Sequence, residues 1–157
     1  MLCCPMKSLL VLVSYHHKNT EKIAKVFAKV LDAQIKTPQQ ISPEELQEYS
    51  LIGFGSGIYA AKHHKSILEL VDRLPQIRNK KAFIFSTCTF KRDIKKNHSA
   101  LKQKLQSKGY TIVDEFCCKG RNTNSLSRFF GGLNRGRPNA EDLEDAEEFA
   151  QNLKQNP

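Results

Sequence analysis

The chain has 157 residues, of which 39% are hydrophobic and 26% are charged, so it is long enough for one domain with a buried core and too apolar for an intrinsically disordered protein. Its longest apolar run, Leu9–Val13, is too short to cross a membrane, and residues 1–6 lack the apolar stretch of a signal peptide. Five cysteines without regular spacing favour a reduced, cytoplasmic protein over a disulfide scaffold.

Positive charge is concentrated in two parts of the chain. The 25 Lys and Arg residues outnumber the 16 Asp and Glu residues, which gives a net charge of +9. Residues 78–108 hold ten basic residues and one acid, and residues 119–137 hold five basic residues and no acid, whereas residues 140–150 hold six acids and no base. Basic stretches attract nucleic acids, anionic cofactors and acidic proteins, and charge alone does not choose among them.

Short apolar runs alternate with helical apolar stripes along the whole chain. The pattern predicts, in order, strand Ser8–Ser14, helix Asn19–Ala33, strand Gln34–Thr37, a helix beginning at Ser42 and Pro43, strand Leu51–Gly55, helix Lys65–Leu74, strand Ala82–Ser86, helix Ser99–Ser107, strand Thr111–Cys118 and a last helix capped by Asn139. Alternating helices and apolar strands indicate a doubly wound α/β fold: a five-stranded parallel sheet with helices on both faces. We expect one domain over residues 1–157, with residues 1–6 as a frayed leader and residues 119–138 as a long loop before the last helix.

The loop after the first strand has the composition of an anion site. Ligands of open α/β sheets bind beyond the carboxyl ends of the strands, where the strand order reverses. Residues 14–20 offer hydroxyls, an amide, a cation and the N–H groups of a helix N-terminus, all of which suit a phosphate. The alternative is that Asn19 or Thr20 simply caps the helix and that the rest is an ordinary polar loop.

Four segments resemble those of flavodoxin-like proteins, which bind FMN. The loop from Ser14 to Asn19 and Thr20 resembles their phosphate loop, Ile52–Tyr59 resembles the second flavin loop, Phe85–Cys88 resembles the third, and Gly131–Asn139 is similar to the tail of small family members. The resemblance implies the flavodoxin-like strand order 2-1-3-4-5, with FMN at the switch between strands one and three.

Carried over residue by residue, the resemblance implies three sets of cofactor-binding residues. The phosphate would be held by the side chains of Ser14, His16, Asn19 and Thr20 and by the backbone N–H groups of His17 and Lys18. The ring would be contacted by Ser56, Gly57, Ile58 and the stacking aromatic Tyr59, and by the backbone of Ser86, Thr87 and Cys88. The simpler interpretations are that Ser56 and Gly57 form a tight turn, that Tyr59 is a partly exposed loop residue and that Cys88 is an inert thiol.

The phosphate loop departs from the family pattern at two points. It is one residue longer than usual, and Lys18 occupies the position of the usual glycine. If that position needs a positive φ, a lysine costs free energy where a glycine would not. Lys18 either adds a charge contact to the phosphate or marks weakened FMN binding.

The sequence does not assign a role to two further groups of residues, the histidine pairs and the loop arginines. His16, His17, His63 and His64 form two pairs on loops that should converge, but adjacent histidines point apart, so no metal site is expected and one imidazole is a candidate contact for phosphate or substrate. The loop before the last helix carries Arg121, Arg128, Arg135 and Arg137, and any of them that reaches the site would favour an anionic flavin or bind the phosphate of a nicotinamide cofactor.

The resemblance implies an FMN-binding redox protein that transfers electrons to a partner protein or a small-molecule acceptor. An FMN-dependent NAD(P)H oxidoreductase acting on a quinone or similar acceptor is the alternative, because the flavin itself supplies the chemistry. The strong positive charge predicts a higher potential than that of an ordinary flavodoxin and an acidic redox partner. A basic nucleic-acid- or partner-binding module without flavin is a second alternative, although none of the usual nucleic-acid-binding patterns is present.

Overall fold

The structure is a computed structural model that describes residues 6–15, 17–120 and 134–156, with Arg92 described in its backbone only. The strands are β1 (Ser8–Val13), β2 (Gln34–Lys36), β3 (Leu51–Tyr59), β4 (Lys62–His63), β5 (Lys80–Cys88) and β6 (Tyr110–Lys119). The α-helices are α1 (Asn19–Leu31), α2 (Lys65–Asp72), α3 (Ile94–Ser107) and α4 (Ala140–Gln155). Residues 1–5 of the predicted leader (residues 1–6) and residues 121–133 of the predicted long loop (residues 119–138) lie outside the described residues. Met6 is not frayed as predicted, because it packs against the buried core, and Lys119 still belongs to β6.

One sheet runs through the molecule in the order β2-β1-β3-β5-β6, and all neighbours in that order are parallel. The predicted strand order 2-1-3-4-5 is therefore confirmed. The sixth strand, β4, is a two-residue segment that pairs antiparallel with the end of β3 and lies off this path. The order reverses at β1 and β3, and a ligand site is expected beyond their carboxyl ends.

Successive side chains along each strand face opposite sides of the sheet, so a hydrophobic core lies on each face. Leu9 and Val11 pack with the buried residues of α2 and α3, whereas Leu10 and Leu12 pack with those of α1 and α4. Phe27 of α1 lies at the centre of the second core, where its ring meets Phe83, Phe85 and Phe116 edge-on at centroid distances of 5.7, 5.2 and 5.4 Å. Both faces are therefore covered, which explains why the strands are continuous apolar runs.

The prediction of a helix that begins at Ser42 and Pro43 is wrong. The segment forms only a 3-10 turn at Glu45–Glu48, in which the Ser42 hydroxyl accepts from the Glu45 N–H at 3.4 Å. Tyr49 is already extended, with φ −103° and ψ 139°, because the chain must enter β3 two residues later. The described residues thus contain four α-helices, where five were predicted.

Two strands are longer than predicted, and this changes where the site loops begin. Ser56–Tyr59 continue β3, and Thr87 and Cys88 continue β5 beyond its predicted end at Ser86. The cause is pairing on both sides: Ser56 pairs with Ser86, Tyr59 pairs with Lys62 of β4, and Cys88 pairs with Lys119. Sequence periodicity does not report such cross-strand pairing. Among the described residues, no helix is long and apolar enough to cross a bilayer.

Candidate functional site

The loop between β1 and α1 has a left-handed backbone at its last turn. Lys18 is the N-cap residue of α1, with φ 52° and ψ 38°, and its side chain makes no capping hydrogen bond. The Ser14 hydroxyl instead accepts from the Glu21 N–H at 3.2 Å. The position where flavodoxin-like proteins usually have glycine therefore does require a positive φ in this chain, and lysine occupies it against its steric preference. Predicted ligand His16 lies outside the described residues.

Two of the predicted site segments are joined by a buried hydrogen bond. The hydroxyls of Thr20 in α1 and Thr87 in β5 lie 2.8 Å apart, and both side chains are buried. The bond fixes the start of α1 against the carboxyl end of β5. Each of the two hydroxyls thus has a partner within the protein.

A small polar pocket of about 200 Å³ lies at the N-terminal end of α1. It is lined by His17, Asn19, Lys22, Gly136 and Arg137. Arg137 is itself held by a bidentate ion pair, with Nε and Nη2 at 2.5 and 2.6 Å from the Asp142 carboxylate. This pair raises the pKa of Arg137 and keeps the guanidinium charged.

Sequence reasoning missed Lys22 and left the role of Arg137 open. A signal for Lys22 was available, because a residue three positions after Asn19 lies on the same face of a helix. No comparable signal existed for Arg137, which reaches α1 only because α4 packs beside it.

A larger, aromatic cleft of about 500 Å³ lies beside the end of β3. Its lining consists of Tyr15, Tyr59, Lys62, His63, His64, Lys65 and Leu68. The His64 ring lies between the two tyrosines, with centroid distances of 5.3 Å to Tyr15 and 5.4 Å to Tyr59. Burial raises the pKa of Tyr59, and the neighbouring Tyr15 adds to the effect. The cleft thus offers flat apolar surfaces, and the described residues that line it include two lysines and no carboxylate, although the charge of nearby Glu69 acts on His64.

The β3–β4 hairpin holds this cleft in shape. Its tip, Ala60 and Ala61, has positive φ values of 49° and 61°. The Ser56 hydroxyl accepts from the His64 N–H at 3.0 Å, and His64 Nδ1 accepts from the Ser66 N–H at 3.2 Å to cap α2. Burial and then the Lys65 charge lower the pKa of His64, so its ring is neutral near pH 7.

The adjacent histidines His63 and His64 do point apart, as expected. His64 faces the cleft, whereas the His63 side chain is buried, donates from Nε2 to the Phe85 carbonyl at 3.0 Å, and lies 5.0 Å from the His98 ring. Burial and the His98 ring lower the pKa of His63 to about 3. Within residues 6–15, 17–120 and 134–156, no three His, Cys, Asp or Glu side chains are grouped so that they could hold a metal ion.

The three residues predicted at the end of β5 point to both faces of the sheet. Thr87 faces α1, whereas the Ser86 hydroxyl meets His98 Nε2 at 2.7 Å and the Cys88 thiol meets Cys117. Ser86 and Thr87 pair with both neighbouring strands, so the sheet uses their backbone groups. The flavin contacts assigned to these residues remain a prediction.

Asn134 ties the loops after β5 and β6 together. Its side-chain amide donates to the Thr89 carbonyl at 3.0 Å and to the Gly120 carbonyl at 3.4 Å. The Gly120 N–H donates to the Cys88 carbonyl at 3.1 Å, and a Cβ at Gly120 would lie 2.7 Å from Asn19 Nδ2. A side chain at position 120 would therefore require the Asn19 side chain to move.

The residues present suit FMN. A phosphate needs N–H donors and cations, and the pocket at α1 supplies a helix N-terminus with Lys22 and Arg137. A flavin ring needs a flat, largely apolar cleft, and the tyrosine-lined cleft supplies one next to the strand switch point.

Comparison with known proteins places the chain in a family. Residues 10–131 match the family described as flavodoxin domain. The chain is 50% identical over 151 residues to the uncharacterized protein MJ0298 of Methanocaldococcus jannaschii, covering 96% of this chain and all of that protein. Its fold is similar to oxidised flavodoxin 2 from Bacillus cereus (TM-score 0.72, 17% identity, 96% of this chain and 99% of that one) and to a flavodoxin from the domain Archaea (TM-score 0.67, 17% identity, 96% and 98%). The chain therefore belongs to the flavodoxin family, and FMN is its cofactor, as the resemblance of its loops implied.

Proposed function

We propose that the protein is an FMN electron carrier whose basic face docks an acidic redox partner. The observation that carries the proposal is the charge of the aromatic cleft: its lining includes Lys62 and Lys65 and no carboxylate. A reduced flavin is anionic, so cations beside the ring stabilise it by Coulomb attraction. We therefore expect a higher potential for the second electron than in a flavodoxin with an acidic flavin site.

The residues of this chain would bind and orient the cofactor. When bound, FMN supplies a ring that accepts and releases electrons. The backbone N–H groups of residues 17 and 18 and the cations Lys22 and Arg137 would hold its phosphate. Tyr59 would lie against the ring and exclude water from one face.

Exposed lysines surround this edge of the sheet. Lys91, Lys95 and Lys96 follow β5 directly and are exposed, and the neighbouring Phe90 is 55% exposed. By contrast, Lys102 and Lys104 further along α3 are paired with carboxylates at 2.8 and 2.5 Å. Positive charge beside the flavin edge would steer an acidic partner to the site and raise its association rate.

Cofactor binding is tested by titrating the apoprotein with FMN and with riboflavin. We expect flavin bands and much tighter binding of FMN, because riboflavin lacks the phosphate. A potentiometric titration then measures the second-electron potential, and Lys62→Gln with Lys65→Gln should lower it. A very low potential in the unmodified protein would contradict the proposed role of these lysines.

Docking is tested by the salt dependence of electron transfer from the reduced holoprotein. With an acidic iron–sulfur protein as acceptor, the rate should fall as ionic strength rises, and with a basic c-type cytochrome it should not. Lys95→Glu should reduce the first rate, whereas Lys29→Glu, exposed near the far end of α1, is the matched control. Rapid reduction by NADH or NADPH would instead favour the oxidoreductase alternative.

A further inference from the structure

Two cysteines from different strands meet inside the protein. Cys88 is the last residue of β5 and Cys117 lies in β6, and their Sγ atoms are 2.6 Å apart. The two cysteines are not joined by a disulfide in this structure, and both are buried, with 7% and 2% of their surface exposed. A disulfide requires a separation of about 2.05 Å between the sulfurs, so the observed separation exceeds the bonding distance by roughly half an ångström.

The sheet register creates this contact. Cys117 pairs with Ser86, and Cys88 lies two residues further along β5 on the same face of the sheet. Cys118 follows Cys117 directly and therefore faces the opposite side, where it packs in the core with Phe27 and Phe116. Cys118 therefore shares β6 with Cys117 but lies on the other face of the sheet.

A route of polar side chains leads from the thiol pair to the surface. Ser86 pairs with Cys117 across the sheet and lowers the pKa of its thiol, and the Ser86 hydroxyl meets His98 Nε2 at 2.7 Å. His98 Nδ1 lies 3.1 Å from one oxygen of the Glu115 carboxylate, and the Lys102 ammonium lies 2.8 Å from the other. Glu115 is partly exposed, so a proton that leaves Cys117 can reach solvent by this route.

The two thiols differ in their acidity. The contact between the two thiols lowers the pKa of Cys117 and raises that of Cys88. Ser86 and the charge of Lys91 also lower the pKa of Cys117 and so favour a thiolate there. Cys88 is the more exposed of the two, at the end of its strand.

We propose that Cys88 and Cys117 form a two-electron dithiol–disulfide site that reacts with small-molecule disulfides, next to the flavin edge and independent of the flavin. In the first step the Cys88 thiol passes its proton to the Cys117 thiolate as it attacks the disulfide: the S–S bond of the disulfide breaks, a bond from Cys88 to one half forms, and the other half leaves as a thiolate that takes a proton from solvent. In the second step Cys117 attacks Sγ of Cys88, which forms the internal disulfide. The second half leaves as a thiol, with a proton equivalent to the one that Cys117 releases through Ser86 and His98. Two protein thiols are oxidised and one disulfide is reduced to two thiols.

The test treats the full-length holoprotein with oxidised glutathione, in a background in which Cys3 and Cys4 are serine. After remaining thiols are alkylated and the protein is digested, mass spectrometry should find a peptide pair linked through Cys88 and Cys117 that dithiothreitol reverses. Cys118→Ser is the matched control and should leave the link unchanged. Cys117→Ser should instead accumulate a glutathione adduct at Cys88.

Two outcomes would overturn the proposal. One is full alkylation of both cysteines after oxidation, and the other is a link from Cys88 to Cys118 at the same yield. The proton route is tested separately by Glu115→Gln, which keeps the side-chain shape and removes the charge facing His98. We expect disulfide closure to slow on the order of 100-fold, and an unchanged closing rate would remove this route from the proposal.

Discussion

The hydroxyl groups of Thr20 and Thr87 meet 2.8 Å apart in the interior, although 67 positions separate the two residues in the chain. Thr20 lies in the first turn of α1, directly after the predicted phosphate loop, and Thr87 lies near the end of β5. The bond therefore links the phosphate side of the site to the strand that carries the third flavin segment.

Replacing one of these threonines should destabilise the fold. Thr20→Val keeps the shape but leaves the buried Thr87 hydroxyl without its partner, which we expect to cost about 1–3 kcal/mol of unfolding free energy. Urea denaturation measures the loss. Thr111→Val, at an exposed position in β6, is the control and should change little.

The double variant separates the hydrogen bond from other effects. In Thr20→Val with Thr87→Val, no hydroxyl is left unpaired, so the total cost should be well below the sum of the two single variants. Strict additivity of the two losses would show that the hydroxyls do not interact.

Lys18 adopts a backbone conformation that favours glycine. Because φ is 52° at this position, Lys18→Gly should stabilise the protein relative to Lys18→Ala by about 1 kcal/mol. The alanine variant removes the same charge and keeps the Cβ, so the comparison isolates the backbone term. Thermal unfolding measures it, and equal midpoints for both variants would contradict the strain at this position.

His63 should make stability depend on pH below neutrality. Its pKa is lowered from 6.5 to about 3 in the folded protein, so between these values the unfolded chain binds a proton that the folded chain does not. The free energy of unfolding should therefore fall as pH falls through this range, by up to about 1.4 kcal/mol per pH unit. Above pH 6.5 the protonation of His63 no longer lowers the free energy of unfolding.

Urea denaturation at pH 7 and pH 5 measures this dependence. His63→Gln, which keeps a donor for the Phe85 carbonyl, should flatten the slope. Some slope should remain, because burial also lowers the pKa of His98.

Lys22 should contribute to phosphate binding. It lines the polar pocket at the start of α1, and Lys22→Met should weaken FMN binding by about 1 kcal/mol, roughly fivefold, because an exposed cation gives only a modest gain. Riboflavin affinity should not change. Lys25→Met, one turn on and 3.4 Å from Glu21, is the matched control, and an equal effect on both flavins would exclude Lys22 from the phosphate site.

Local chemistry was enough to predict one helix cap and one unusual backbone position. Asn139 caps α4 in a reciprocal capping box with Asp142, as its position before an acidic helix predicted. The glycine-like position of Lys18 was also visible, because a loop pattern specifies backbone conformation. The thiol contact of Cys88 with Cys117 was not, since it depends on the register between two strands.

Hydrophobic periodicity was enough to predict the alternation of strands and helices, and the flavodoxin-like loops were enough to predict the strand order, because these patterns are local in the chain. The lengths of β3 and β5, the faces taken by His63, Cys88 and Cys117, and the approach of Arg137 to the start of α1 became visible only in the folded protein. These features depend on pairing and packing between residues far apart in the chain, and no local pattern encodes them.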